Sequence, residues 1–129
     1  MMSDLFSLKG RVFVITGAAG LLGKKHAEVI AAFGGIPVLI DLAQTEVVEI
    51  ASSLARKYSV KAQGFGVDIT NETQVEKNAK LIFNNFGKID GLVNNAANNP
   101  KVEDSKDVNF SRLENFPLET WNQDISVGL

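Results

Sequence analysis

Short runs of consecutive apolar residues alternate along this chain with longer stretches in which apolar residues recur every three to four positions. The first run, Arg11 to Ile15, is apolar at Val12, Phe13, Val14 and Ile15 in succession, as in a strand buried on both faces. From about Gly20 to Phe33 the pattern turns helical, with Leu22, Val29, Ile30 and Phe33 expected on the packed face and Gly34-Gly35 as the stop. Ile36 to Ile40 predicts a second strand, where Pro37 is tolerable because it stands at the start. A second helix, from about Thr45 to Tyr58, sets Val47, Ile50, Ala51, Leu54, Ala55 and Tyr58 at helical spacing. Val60 to Val67 predicts a weaker third strand, interrupted by Gly64 and Gly66. The third helix opens at Thr70 or Asn71, and Gln74, three residues after Asn71, completes a capping-box pattern. Its expected buried stripe is Val75, Ala79, Ile82, Phe83 and Phe86. Gly87 ends it, and Ile89 to Val93 predicts a fourth strand. The polar stretch 98–120 carries eight charged residues and reads as a solvated connection, with a mobile substrate loop as the alternative. A last helical pattern begins near Pro117, a favoured first-turn residue.

Strands alternating with helices predict βαβ units around a parallel sheet. Right-handed crossovers then give the strand order 3-2-1-4, with the reversal between strands 1 and 4. Ligands of such sheets bind at that reversal, outside the C-terminal strand ends.

The segment that falls there is Thr16-Gly17-Ala18-Ala19-Gly20-Leu21-Leu22-Gly23. Glycines at i, i+3 and i+6 permit a sharp turn, a close approach to a ligand and tight packing of the new helix on the sheet. The free N–H groups of the helix N-terminus then face outward, where a pyrophosphate can sit. Plain turn chemistry is the alternative for a glycine triplet taken alone. The expected fold is therefore α/β, a Rossmann-type doubly wound parallel sheet, with residues 1–129 as a single domain.

Asp41 closes the second strand 18 residues after Gly23. A carboxylate there can accept both hydroxyls of an adenosine ribose and would repel a 2′-phosphate. Leu42 beside it is apolar, and no Arg or Lys lies inside the glycine loop, so the expected cofactor is NAD rather than NADP. A turn or helix-cap role is the alternative. Asp68 and Ile69, after the third strand, suit an adenine amino group and an adenine ring face. Capping of the third helix by Asp68 accounts for the pair equally well. Asn94-Asn95-Ala96-Ala97 ends the fourth strand, where amides can tie strands together and line a ribose while the small residues leave room for a cofactor; turn chemistry is again the alternative. His26 falls opposite the expected apolar stripe and reads as a solvated helix position.

Composition narrows the classes. The chain has 129 residues, 45% of them apolar, and a net charge of −2 with both signs dispersed. Neither a nucleic-acid surface nor a polybasic membrane patch is expected. With no cysteine, disulfides and thiolate chemistry are excluded. The N-terminus lacks the pattern of a signal peptide and no apolar run reaches membrane-spanning length, so a cytoplasmic location is expected.

Together, Thr16-Gly17 with Gly20 and Gly23, Asp41, Asp68-Ile69, Asn94-Asn95-Ala96-Ala97 and Trp121 resemble the short-chain dehydrogenase/reductase family in order and spacing, from about Leu8 to Leu129. The resemblance implies that Gly17, Gly20, Leu21 and Leu22 contact the pyrophosphate side of a nicotinamide cofactor. It assigns the adenosine ribose to Asp41, the adenine to Asp68 and Ile69, and the middle of the cofactor to Asn95, Ala96 and Ala97. Three departures stand beside it. The family's classical branch has its second glycine at the place of Leu21, so the spacing here is similar to the extended, sugar-nucleotide branch. Gly128 stands where the classical pattern has an asparagine of the catalytic tetrad. The family's catalytic serine and Tyr-x-x-x-Lys pair fall beyond Leu129, and the single tyrosine, Tyr58, with Lys61 at i+3, lies too early in the fold to serve. The segment Asn98-Asn99-Pro100-Lys101 is similar to one in bacterial members linked to flagellin or surface-sugar modification.

The resemblance thus implies an NAD-dependent oxidoreductase acting on a secondary alcohol or carbonyl, with a sugar as one candidate. This chain would supply the cofactor-binding half and meet a small-molecule substrate only when the fold is completed. A non-catalytic nucleotide-binding module and a half-domain that assembles with a partner chain are the alternatives. Ile89, Leu92 and Val93 are expected on an open sheet edge, so self-association or a covering partner is expected as well.

Overall fold

Strand β1 (Val12–Thr16) lies near the centre of a four-stranded parallel sheet, paired on one side with β2 (Ile36–Asp41) and on the other with β4 (Gly91–Val93). Strand β3 (Gln63–Gly66) flanks β2, so the order is β3-β2-β1-β4, as the pattern predicts. The chain is described here by a computed structural model covering residues 5–98 and 113–128. It divides into two compact units, Met1–Ala96 and Ala97–Leu129.

In the first unit, helices α1 (Leu21–Ala32), α2 (Gln44–Tyr58) and α3 (Glu72–Phe86) connect the strands. Strands β1 and β2 are covered on both faces, which explains their unbroken apolar runs. Ile15 and Leu39 point into one core with Ala27, Ile30 and Ala31 of α1 and Val47, Ala51 and Leu54 of α2. Val12, Val14, Val38 and Ile40 alternate to the other side, where they meet Val67 and Ile82. Burial of each large aliphatic side chain contributes about 1.5–3 kcal/mol. Register is set at the N-terminal end of the sheet by a reciprocal pair. The Asp90 N–H donates to the Val12 carbonyl at 2.8 Å, and the Val12 N–H donates to the Asp90 carboxylate at 2.7 Å. That bond, with Lys88 beside it, holds the Asp90 carboxyl below the usual carboxylate range.

Several expectations are corrected in detail. Strand β3 is shorter than 60–67, because pairing with β2 begins only at Gln63, opposite Val38. Strand β4 begins at Gly91 rather than Ile89. In α1 the packed stripe is Gly23, Ala27, Ile30 and Ala31, while Leu22, Val29 and Phe33 are exposed. Small residues at i, i+4 and i+8 bring that helix close to the sheet, and close approach selects small side chains over large ones. In α3, Ile82 is buried and Phe86 partly so, but Val75 and Phe83 are exposed, Phe83 at 61%. Asn78 is buried in that helix instead, with its side-chain oxygen unpaired. Helix α2 buries Val47, Ala51 and Leu54 as its spacing predicts.

Asn71 caps α3, accepting from the Gln74 N–H at 3.1 Å. The return half of the capping box is displaced, because the Gln74 side chain accepts from the Asp68 N–H at 2.9 Å. A cap of this kind contributes about 1 kcal/mol.

Glu28 joins α1 to α2. It accepts from the Lys57 ammonium at 2.7 Å and from the Tyr58 hydroxyl at 3.0 Å. The hydrogen bond from Lys57, then that from Tyr58, then the charges of Lys57 and Lys25 lower its pKa from 4.5 to about 2. A carboxyl whose folded pKa is depressed stabilises the fold fully above its unfolded pKa and loses that contribution as pH falls through the folded value. Glu28→Gln is therefore expected to flatten the decline of stability between about pH 4.5 and 2, read as urea midpoints across that window. An unchanged slope contradicts the assignment.

The second unit, within its described residues, holds a single 3-10 turn at Leu113–Asn115 and helix α4 (Leu118–Gly128). Phe116 and Trp121 meet edge to face there, with ring centres 6.4 Å apart, and the Asn98 amide donates to Asp124 at 2.8 Å. Residues 99–112, which include most of the expected polar connection, lie outside the described residues. Among the described residues no helix is long and apolar enough to cross a membrane.

Candidate functional site

The turn from β1 into α1 carries the first part of the site. Gly17 adopts φ +63°, the left-handed region that favours glycine. A β-carbon added there would lie 2.8 Å from the Ala96 Cα, so the loop and the end of β4 touch backbone to backbone. At Gly23 a β-carbon would run into the carbonyl oxygen of Gly17 and lie 2.7 Å from the Ala18 Cα. Gly20 is the N-cap of α1, with no side-chain cap and no acidic residue in the first turn. Among the described residues the helix thus opens with N–H donors that no side chain takes, a partial positive end suited to an anion. Leu21 and Leu22 stand over this turn, 83% and 61% exposed.

Thr16 and Asn95 bind the loop to β4. The Thr16 hydroxyl accepts from the Asn95 and Ala96 N–H groups, each at 3.1 Å, and donates to the Val93 carbonyl at 3.5 Å. The Asn95 side-chain amide donates to the carbonyls of Thr16 and Gly17, both at 3.1 Å. The tie between strands expected of the Asn-Asn pair is thus made by Asn95. Thr16 as its hub was missed by the sequence reading, where it served only as the residue before Gly17; a hydroxyl at the end of an otherwise apolar strand was the available signal.

Asp41 sits one strand over. Its Oδ2 accepts from the Ala19 N–H at 3.0 Å and its Oδ1 from the Ala43 N–H at 3.2 Å. The Asp41 carbonyl accepts from the Val67 N–H at 2.9 Å, which joins the exit of β3 to the same point. A turn role is therefore present, and each carboxylate oxygen keeps acceptor capacity for a further donor. Lys24 of α1 pairs with Glu46 of α2 at 2.6 Å, so the cation in the first turn of α1 already faces a carboxylate.

Asp68 follows β3. The Thr70 hydroxyl and N–H both donate to its Oδ1, at 2.7 and 2.9 Å, and these bonds hold its carboxyl below the usual carboxylate range. The cap of α3 is Asn71, not Asp68. Ile69 is half-buried against the second core. The structure thus gathers Gly17, Gly20, Leu21, Leu22, Asp41, Asn95 and Ala96 around one turn, with Asp68 and Ile69 beyond the adjoining strand. Ala97 belongs to the second unit. Tyr58 lies on α2 with its hydroxyl on Glu28, in no part of this cluster. His26 is exposed on α1.

An uncapped helix end, a loop with no room for side chains at Gly17 and Gly23, and a carboxylate one strand away form a donor and acceptor set suited to a dinucleotide. The short chain dehydrogenase family matches residues 11–128. An NADP-dependent mannitol dehydrogenase of Alternaria alternata is 30% identical over 131 residues, which is 99% of this chain and 46% of that protein. Among solved structures, the NADPH-dependent 3-quinuclidinone reductase of Rhodotorula rubra superposes with TM-score 0.81 at 29% identity, covering all of this chain and 46% of that one. An NAD+-bound xylitol dehydrogenase superposes with TM-score 0.76 at 26% identity, covering 93% of this chain and 43% of that one. The chain spans less than half the length of each of these three relatives. With the sheet order, the glycine turn and a match over residues 11–128, the chain belongs to the short-chain dehydrogenase family.

Proposed function

We propose that this chain is the NAD-binding part of an oxidoreductase that moves a hydride between the nicotinamide and a secondary alcohol or its carbonyl, in the cytoplasm. The observation that carries the reading is the pairing of the uncapped α1 N-terminus with Asp41, linked through the Ala19 N–H at 3.0 Å. Gly17, Gly20, Leu21 and Leu22 would hold the pyrophosphate, Asp41 the adenosine ribose and Asp68 and Ile69 the adenine. Both bonds that Asp68 accepts fall on Oδ1, which leaves Oδ2 for an exocyclic amine. Asn95, Ala96 and Ala97 would line the middle of the cofactor.

The relatives' names carry both NAD+ and NADP(H), so the choice of cofactor rests on the corner at Asp41. A 2′-phosphate there would face the Asp41 carboxylate, while the nearby cation Lys24 is already engaged by Glu46. The substrate is read as a polyol or sugar, in keeping with the mannitol and xylitol of two relatives' names. The narrower link to surface-sugar modification rests on 98–101, of which 99–101 lie outside the described residues. The family's serine and Tyr-x-x-x-Lys chemistry would come from residues other than these, since Tyr58 is held by Glu28. Leu92, 59% exposed on the terminal strand β4, is where a second copy or a completing segment would add to the sheet.

Titration calorimetry with NAD and NADP tests the reading. The chain is expected to prefer NAD, and Asp41→Ala to weaken NAD by about 10- to 100-fold, as loss of a charge-assisted hydrogen bond does, while narrowing the gap to NADP. Unchanged NAD affinity in Asp41→Ala would show that the carboxylate does not hold the ribose.

A further inference from the structure

The Asp41 carboxylate is engaged before any nucleotide arrives. Its Oδ2 takes the Ala19 N–H of the glycine loop at 3.0 Å in a part-buried position, while its Oδ1 takes the exposed Ala43 N–H at 3.2 Å. The Asp41 backbone is itself fixed by the sheet, through its pairing with Gly66 and the Val67 N–H on its carbonyl. One residue earlier, the Ala18 N–H donates to the Ile40 carbonyl at 3.1 Å. The peptides of Ala18 and Ala19 are thus pinned to consecutive residues of β2, immediately before the helix turn whose N–H groups face outward. Backbone alone secures the first pin. The second depends on a side chain.

We infer that Asp41 is a positioning residue for the glycine loop, in addition to any contact with a ribose: its bond to the Ala19 N–H sets the orientation of the peptides that lead into the α1 N-terminus. Ribose recognition and pyrophosphate recognition are then coupled through one carboxylate. A residue that only contacted ribose would matter solely to ligands that carry ribose hydroxyls. A loop latch matters to every ligand seated on the loop.

This inference rests on the nucleotide-site reading, and two measurements separate the failure of one from the failure of the other. The first needs no nucleotide: amide hydrogen exchange at Ala19 in the free chain, for the wild type, Asp41→Ala and Asp41→Asn. Asparagine keeps one oxygen acceptor for the Ala19 N–H, leaving the exposed Ala43 N–H to water. Ala19 is expected to be protected in the wild type and in Asp41→Asn, and to exchange about tenfold faster or more in Asp41→Ala. Equal exchange in all three overturns the latch. The second measurement is affinity for NAD and for its 2′,3′-dideoxyadenosine analogue, which offers no hydroxyl to Asp41. Both variants remove the same charge, so their difference isolates the acceptor. The analogue is expected to bind Asp41→Asn about tenfold more tightly than Asp41→Ala; equal affinities overturn the latch, and a thermal melt of each variant verifies that both are folded. A wild type that protects Ala19 yet binds neither ligand supports the latch and overturns the nucleotide reading alone.

Discussion

Gly23→Ala is expected to lower the stability of the chain by about 1–3 kcal/mol or more and to weaken nucleotide binding at least tenfold. The added β-carbon would meet the Gly17 carbonyl and lie 2.7 Å from the Ala18 Cα. These obstacles are backbone, so no rotamer change relieves them, and the backbone that must move is the turn proposed to seat the pyrophosphate. Gly20→Ala provides the contrast. Its β-carbon would approach only the Gly17 oxygen, at 3.2 Å, and its φ of −72° suits any residue. That variant is expected to melt near the wild type while losing affinity, because the methyl group occupies the approach to the helix end. Thermal melts and NAD titrations of both variants check this; a Gly23→Ala chain as stable as Gly20→Ala contradicts the packing described.

Thr16→Val is expected to have a comparably large effect. Valine matches threonine in shape but carries no hydroxyl, leaving the Asn95 and Ala96 N–H groups without the acceptor they share at 3.1 Å. Thr16 is only 8% exposed, so water replaces the hydroxyl poorly. An unsatisfied buried donor costs about 1–3 kcal/mol, so two donors point to a loss of about 2–6 kcal/mol in denaturant unfolding. The bond to the Val93 carbonyl, at 3.5 Å, adds little. The damage would centre where β4 meets the glycine loop, so nucleotide affinity should fall with stability. A neutral Thr16→Val would mean that the Asn95 side chain alone, through Thr16 and Gly17, holds that junction.

The sheet order and the position of the site were legible because both follow from strong local signals. An unbroken apolar run such as Val12 to Ile15 specifies a strand buried on two faces, and a glycine triplet at its end specifies a tight strand-to-helix turn. Helix faces were less legible. The packed stripe of α1 is built from Gly23, Ala27 and Ala31, and small residues contribute little to an apolar pattern although they decide how closely a helix approaches a sheet. The α3 stripe misled for a different reason. Val75 and Phe83 follow helical periodicity but remain exposed, because periodicity states which residues share a face and not whether anything covers it.

At the site, single residues proved more versatile than the sequence implied. Asp41 presented two separate roles, a turn residue or a ribose acceptor. In the fold it makes the turn bond to Ala43 and reaches the glycine loop at Ala19 as well. That second bond joins residues 22 apart in sequence, and no local pattern encodes it. The capping box at Asn71 was half legible: the cap forms, while the Gln74 side chain accepts from the Asp68 N–H instead of the Asn71 N–H.

Backbone amide shifts of the chain titrated with NAD test the central claim most directly. The account predicts saturable shifts at Gly17, Ala18, Ala19, Gly20, Leu21, Leu22, Asn95 and Ala96, with smaller changes at Asp68 and Ile69 and weaker binding of NADP. The absence of saturable shifts at the glycine loop, or tighter binding of NADP than of NAD, would contradict it.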